Sequence, residues 1–231
     1  MDGGSITVSS EGRLSDSPLV EFIWRTRSDR PSTFMSVASP HSEIVVMKHN
    51  GKTMLTVRGP ETHASPAPML ENAEFFGIVL KLGAFMPHLP TKSILNRQDV
   101  TLPEFTNQSF WLLGSAWQFP TYENADSFID KLMREELLVR DPVVEAVLQG
   151  RLKDLSLRSV QRRFLHATGV TQGIVLQIQR AQKAIALLHQ GRSILDTVYE
   201  AAYADQPHLT RSLKRFMGQT PAQILPPHQS E

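Results

Sequence analysis

Two segments of the chain carry side chains suited to hydrogen-bonding a long polar partner. The first reads Leu155-Ser156-Leu157-Arg158-Ser159-Val160-Gln161-Arg162-Arg163-Phe164 and closes at Gly169. The second reads Asp205-Gln206-Pro207-His208-Leu209-Thr210-Arg211-Ser212-Leu213-Lys214-Arg215-Phe216 and closes at Gly218. Ser156 and Asp205 are good N-caps, because a short side-chain oxygen accepts from the N–H groups that a first helical turn leaves unpaired. The glycines suit the positive φ that stops a helix. Leu157, Val160, Phe164 and Leu165 make an apolar stripe in the first segment, and Leu209, Leu213 and Phe216 make one in the second. Arg158, Ser159, Gln161 and Arg162 then share the other face of the first helix, and Gln206, Thr210, Arg211 and Lys214 that of the second. Arginine bonds bidentately to guanine O6/N7 and glutamine to adenine N6/N7, each worth about 1–3 kcal/mol of discrimination. These residues are therefore candidates for DNA contact. His208 suits a phosphate or a nearby carbonyl, the second role being favoured, and Arg163 and Arg215 suit phosphates or solvent rather than bases.

The elements that must hold these faces are legible around them. Thr171 caps a long helix with Ile174, Ile178, Ala181, Ile185 and Leu188 on one side, reaching about His189. At 1.5 Å per residue it spans roughly 28 Å, near the ~34 Å between major-groove segments on one face of B-DNA. Ser193 opens a further helix with Ile194, Val198 and Ala201 inward. Pro207 stands in the first turn of the second candidate helix, where a missing N–H costs nothing, and Thr220-Pro221 begins a last short turn.

Charge is distributed to match. The net charge of +1 conceals 11 Lys and Arg against 5 Asp and Glu from residue 150 onward, and 13 against 18 before it. A basic C-terminal part on an acidic N-terminal part fits a nucleic-acid-binding module fused to something else. The chain has no cysteine, which excludes disulfides, thiolate zinc sites and cysteine nucleophiles and fits a reducing cytoplasm. No secretory signal and no bilayer-length apolar stretch is present, so a soluble, cytoplasmic protein without membrane association is expected.

Residues 1–17 read as a flexible tail rich in Gly, Ser and Asp. Beyond Pro18 come β-type runs at Val20–Arg25, Glu43–Met47 and Met54–Val57, with Asn50-Gly51 between the last two as a type I′ hairpin signal. Gly59 to Pro68 reads as loop. Glu74–Leu82 is the clearest strand, with Phe76, Ile78, Leu80 and Leu82 on one face at period two. Another apolar segment covers Ser109–Leu113. This predicts a β-rich sandwich or partial barrel, followed by a helix from about Glu123 to Leu138. Asp141 as N-cap and Pro142 at the first helical position start a short helix ending near Gly150. The boundary falls at 137–142: residues 18–137 form the β-rich domain, 138–225 an all-α domain, and 226–231 a tail.

Enzyme chemistry finds no support. His41, His49, His63 and His88 are dispersed, so no metal site is expected. No phosphate loop, Gly-x-Ser-x-Gly elbow or catalytic carboxylate pair appears, and neither catalytic residues nor cofactors are predicted. Phe75, Phe76, Trp111 and Trp117 are apolar candidates for a small-molecule pocket, though aromatics more often fill a β core.

At Ser-Leu-Arg-Ser-Val-Gln-Arg-Arg-Phe, the following Ala-Thr-Gly, Gln-Arg-Ala, Asp-Gln-Pro-His-Leu-Thr-Arg-Ser-Leu-Lys-Arg and Gly-Gln-Thr-Pro, the chain resembles the AraC/XylS-type transcription regulators over residues 141–225. The resemblance implies two helix-turn-helix units joined by a linker helix and bound to promoter DNA in adjacent major grooves. It places base-reading positions at Arg158, Gln161, Arg162, Gln206, Thr210 and Arg211. Residues 18–137 then resemble the family's variable, cupin-like β-rich domain, which senses a small-molecule effector or pairs subunits as a homodimer. The chain departs from the pattern twice. Ala202-Tyr203 stands where the family usually has glycine before the aromatic. The stretch before Ser156 is also short for two helices, so either the Glu123–Leu138 helix takes part or the first unit is abbreviated. The alternatives are an interaction module whose abbreviated helix-turn-helix binds no DNA, and an enzyme. A DNA-repair methyltransferase would need a nucleophilic cysteine, and a β-barrel metalloenzyme clustered ligands.

Overall fold

The computed structural model describes residues 9–97, 99–151 and 155–225. Strands β1 (Ser9–Arg13), β2 (Val20–Ser28), β3 (Ser32–Ser36), β4 (Glu43–His49), β5 (Lys52–Arg58), β6 (Ser65–Met69), β7 (Ala73–Leu80) and β8 (Ala84–Phe85) lead to a 3-10 segment at Thr91–Arg97. Strands β9 (Val100–Thr101), β10 (Glu104–Thr106), β11 (Ser109–Leu112) and β12 (Ser115–Gln118) precede helix α1 (Ala125–Arg134) and strand β13 (Val139–Arg140). The rest is helical: α2 (Pro142–Leu148), α3 (Leu157–Thr168), α4 (Gln172–His189), α5 (Ile194–Glu200), α6 (Gln206–Met217) and α7 (Pro221–Ile224).

The main sheet has the order β1-β2-β7-β4-β5-β9, accompanied by β10-β11-β12 and the two-stranded pairs β13-β8 and β3-β6. The β-rich region is thus several sheets and not a closed barrel. In β7 Phe76, Ile78 and Leu80 enter the core beside Ile23, Ile44, Val46 and Leu55 as expected, but Gly77 and Val79 are buried as well, and the strand ends at Leu80, so Leu82 packs in the cluster of α2 and α3 instead. Asn50 and Gly51 take φ of 49° and 74°, the type I′ turn that joins β4 to β5 in register.

Three expectations need correction. Residues 9–13 of the predicted tail form edge strand β1, paired along its length with β2; the tail expectations for residues 1–8 and 226–231 lie outside the described residues. Part of the predicted loop at 59–68 is strand β6, paired with β3 from Ser65↔Ser36 to Met69↔Ser32. Its Pro66 and Pro68 are tolerated because a two-stranded ribbon leaves an edge free of ladder donors. The helix expected at 123–138 ends at Arg134, since Glu136 adopts φ 55° and the chain folds back so that Leu137 N–H and Leu138 N–H donate to Leu132 O. Val139–Arg140 then pairs with β8, so the chain leaves the sheets at Asp141.

The short stretch before Ser156 is resolved in favour of abbreviation. Ala125, Ile129 and Leu132 of α1 are buried in the β core. Packing on α3 comes instead from α2, through Val143, Val144 and Val147 against Val160, Phe164 and Ala167. Leu82, Phe85 and Leu95, from the β-rich region, close the same cluster. A separate cluster joins α4, α6 and α7 through Ile178, Leu188, Leu209, Leu213, Phe216 and Leu225, and Ala38 from the loop after β3 is buried within it.

Candidate nucleic-acid interface

Helix α3 is built by its two ends. Ser156 Oγ accepts from Ser159 N–H at 3.3 Å, and Gly169 ends the helix in the left-handed region at φ 71°. The stripe turns Val160 and Phe164 inward and leaves Arg158, Gln161 and Arg162 exposed. Ser159 is half-buried, and its hydroxyl accepts from Ser156 Oγ at 3.0 Å. It serves the cap.

Arg163 lies outside both expected roles. Its Nη2 and Nε donate to Asp141 Oδ1 and Oδ2 at 2.7 and 3.0 Å, and this hydrogen bonding raises its pKa. Asp141 Oδ1 also accepts from Val143 N–H at 2.9 Å as the N-cap of α2. One carboxylate therefore caps α2 and ties α3 to it. Spacing alone did not reveal this pair, because the partners are 22 residues apart.

Helix α6 is built by the same rules. Asp205 Oδ1 accepts from His208 N–H at 2.6 Å, and Gly218 closes the helix at φ 74°. Gln206, Arg211 and Lys214 are exposed, and Thr210 is half-buried. His208 is held structurally: Ala204 N–H donates to its Nδ1 at 3.5 Å, and its ring meets that of Tyr203 edge-on at 5.0 Å. Burial raises the pKa of Tyr203, partly opposed by its bond to Ser212 Oγ at 2.9 Å, so the phenol stays protonated. The turn before α6 forms without glycine, at a cost visible in the backbone. Ala202 takes φ 55°, where an L-residue loses roughly 1–2 kcal/mol.

Between α4 and α6 runs a cleft of about 470 Å³ whose lining includes Arg180, Arg211 and Arg215. Arg180 lies over the Tyr203 ring at 5.7 Å and Arg215 over Phe216 at 4.9 Å. Arg180 was visible in the sequence only within Gln-Arg-Ala, because a polar residue on a long amphipathic helix gives no sign of its neighbours. The two exposed polar faces belong to helices connected through α4, whose 18 residues amount to about 27 Å of helix.

A family described as a helix-turn-helix domain matches residues 153–225. This segment is a helix-turn-helix domain. It contains α3 through α7, and the residues that complete its first unit, α2 and Asp141, lie before it. No curated protein matches the chain. Among solved structures the chain is similar to ToxT from Vibrio cholerae, with 11% identity, a TM-score of 0.39, and coverage of 94% of this chain and 99% of that one. It is also similar to ToxT from Vibrio cholerae O395 bound to (E)-4-(8-methylnaphthalen-1-yl)but-3-enoic acid, with 9% identity, a TM-score of 0.42 and coverage of 93% and 97%. A third similar structure is unsaturated-fatty-acid-bound wild-type ToxT from strain SCE256, with 10% identity, a TM-score of 0.35 and coverage of 100% and 99%.

In the β-rich region the four aromatic pocket candidates part company. Trp117 is buried in the core, and Trp111 is 40% exposed and packs on Phe105. Phe75 and Phe76 do share a cleft of about 580 Å³ with Arg25, Arg27, Lys48 and Tyr122. Arg25 lies 4.4 Å over the Tyr122 ring and pairs with Glu11 at 2.6 Å. Among the described residues no helix is long and apolar enough to cross a membrane.

Proposed function

We propose that this chain is a sequence-specific, double-stranded-DNA-binding transcription regulator rather than an enzyme, acting in the cytoplasm on promoter sites. The observation that carries the reading is the pairing of α3 and α6. Each has a satisfied N-cap, a buried stripe and an exposed arginine- and glutamine-bearing face, and the matched helix-turn-helix domain contains both. Arg158, Gln161 and Arg162 of α3 and Gln206, Thr210 and Arg211 of α6 read bases, and Lys214 contacts phosphate. Ser159 and His208 support the helices that carry these residues.

Selection of binding sites from random duplexes tests the reading and gives the half-site spacing in the same experiment. The selected duplex binds with an affinity that falls as salt rises, because phosphate contacts release counterions. An affinity indifferent to salt would remove phosphate-anchored binding. Arg162→Ala and Arg211→Ala each weaken specific binding by about 1–3 kcal/mol. Both variants binding like the parent would sink the residue assignment.

The β-rich region takes a small-molecule effector or pairs two copies of the chain. Its cleft of about 580 Å³ lies within the ~300–1,000 Å³ usual for small-molecule sites. The cleft sets Arg25, Arg27 and Lys48 among Glu11, Glu74 and Glu123 beside Phe75 and Phe76, so an effector with an anionic end and an apolar body would bind by displacing Glu11 from Arg25. Calorimetric titration with such compounds, against Arg25→Ala, tests that part separately.

A further inference from the structure

The C-terminal ends of both candidate reading helices are held by the β-rich region. At a helix end the last carbonyls have no partner within the helix. On α6, Arg215 O accepts from Ala64 N–H at 2.8 Å and Phe216 O from Ala38 N–H at 2.7 Å. Gly218 lies against Met35 and Ala64 so closely that a Cβ would stand 2.6 Å from Met35 Cγ. On α3, Thr91 Oγ1 donates toward His166 O at 3.3 Å, and a Cβ on Gly169 would stand 3.0 Å from Thr91 O.

These two attachments are joined to each other. Thr91 opens the 3-10 segment, and Asn96 lies near the end of that segment. Asn96 Oδ1 accepts from both Thr62 N–H and Thr62 Oγ1, at 2.8 and 3.0 Å, while Asn96 N–H donates to Pro60 O at 2.9 Å. Thr62 is two residues from Ala64, and Glu61 exchanges both backbone bonds with Ser39, the neighbour of Ala38. Gly59 is required for this closeness, because a Cβ there would stand 2.0 Å from Ile94 O. A path in which hydrogen bonds alternate with the short chain segments 91–96 and 62–64 thus runs from the end of α3, through Thr91, Asn96 and Thr62, to the end of α6.

We propose that this path is a bracket that fixes the separation of the two reading helices, and that Thr91 and Asn96 are positioning residues for DNA recognition. The inference rests on the DNA-binding reading above. Helix α4 alone is a one-sided tie: its inward residues from Ile178 to Leu188 belong to the α6 cluster, whereas only its first turns, at Ile174 and Val175, reach the α3 cluster. The bracket supplies the second tie, so the spacing that the protein prefers between half-sites depends on residues far from either reading face.

The test uses the full chain and the duplex that it selects, re-synthesised with one base pair added to or removed from the spacer. Asn96→Gly keeps a residue at home at the observed φ of 54° and removes the acceptor; Thr91→Val removes the hydroxyl. Thr91→Val is expected to reduce the preference for the parental spacing by about fivefold, the worth of one typical hydrogen bond, and Asn96→Gly, which removes two, by at least as much. Affinity for a duplex carrying only the α6 half-site stays unchanged. Asn96→Asp and Thr91→Ser keep an acceptor and a hydroxyl and restore the preference. A spacing preference untouched by both removals overturns the bracket, and so does an equal loss on every duplex, which would mean general destabilisation. If the parent selects no duplex, the functional reading fails by itself. The bracket is then judged by amide hydrogen exchange: Asn96→Gly must lower protection at Ala64 N–H and Ala38 N–H, and unchanged protection overturns it.

Discussion

The helical units built on α3 and α6 look alike in sequence and are supported differently in space. The α6 unit has helices of its own on several sides, with α4, α5 and α7 around Leu209, Leu213 and Phe216, and Lys183 Nζ of α4 donating to Glu200 O at the end of α5 at 2.6 Å. The α3 unit has α2 and the first turns of α4, and its remaining wall is Leu82, Phe85 and Leu95 of the β-rich region. Local signals that make a helix (a cap, a stripe, a terminal glycine) are therefore equal in the two units, while tertiary support is not. An abbreviated unit remains folded because a neighbouring domain supplies the missing surface and because Arg163 is clamped on Asp141.

The strongest way to break this comparison is to hollow each core in turn. Phe216→Ala and Phe164→Ala both delete a buried aromatic, a change that costs about 3–5 kcal/mol depending on how far the surroundings collapse. Phe216 belongs to the larger of the two buried clusters, so its loss falls toward the top of that range. Phe164 belongs to the smaller cluster, where fewer buried side chains surround the gap, so its loss falls toward the bottom. Urea denaturation of the two variants measures the difference, and equal costs would show that the α3 core is as closed as the α6 core.

Helix caps give a smaller and more local comparison. Asp205→Ala removes one cap and costs ~1 kcal/mol. Asp141→Ala removes a cap and also the partner of Arg163. Because Arg163 is 41% exposed, solvent screening limits the added loss to a fraction of a kcal/mol up to ~1, for a total of ~1–2 kcal/mol. Chemical denaturation again decides, and a cost for Asp141→Ala no greater than for Asp205→Ala would mean that the clamp contributes nothing.

The smallest effect has the opposite sign. Ala202 carries left-handed strain that the α6 unit tolerates because its packing fixes the turn. Ala202→Gly relieves roughly 1–2 kcal/mol of strain and loses about 0.5–1 kcal/mol to the greater freedom of unfolded glycine. The net is a gain of ~0.5–1 kcal/mol, read as a rise in melting temperature. No rise would show that the turn is not a weak point of the better-supported unit.

Much of the fold was legible in the chain because its signals are short-range. The caps at Asp141, Ser156, Thr171, Ser193 and Asp205 all act within three residues, and each accepts the expected N–H. The Asn50-Gly51 turn and the alternation of Phe76, Ile78 and Leu80 are equally local. Strand β6 escaped because its two prolines mimic a loop, and their tolerance depends on pairing with β3, 29 residues away at Ser36↔Ser65 and 37 at Ser32↔Met69. Of the candidate site, exposure of Arg158, Gln161, Arg162, Gln206, Arg211 and Lys214 followed from helical periodicity. The engagement of Ser159, Arg163 and His208 by protein partners did not follow from it.

The sequence by itself determined where the helices begin and end, which of their faces are apolar, and that two arginine-bearing faces flank one long linker helix. Those properties follow from hydrogen-bond capping and a 3.6-residue period, which a chain carries in any context. Only the tertiary structure decided that α1 belongs to the β core, that Arg163 is bound to Asp141, and that Thr91, Asn96 and Thr62 connect the ends of α3 and α6. Those facts depend on contacts between residues tens of positions apart, made by single polar atoms with no periodicity to announce them.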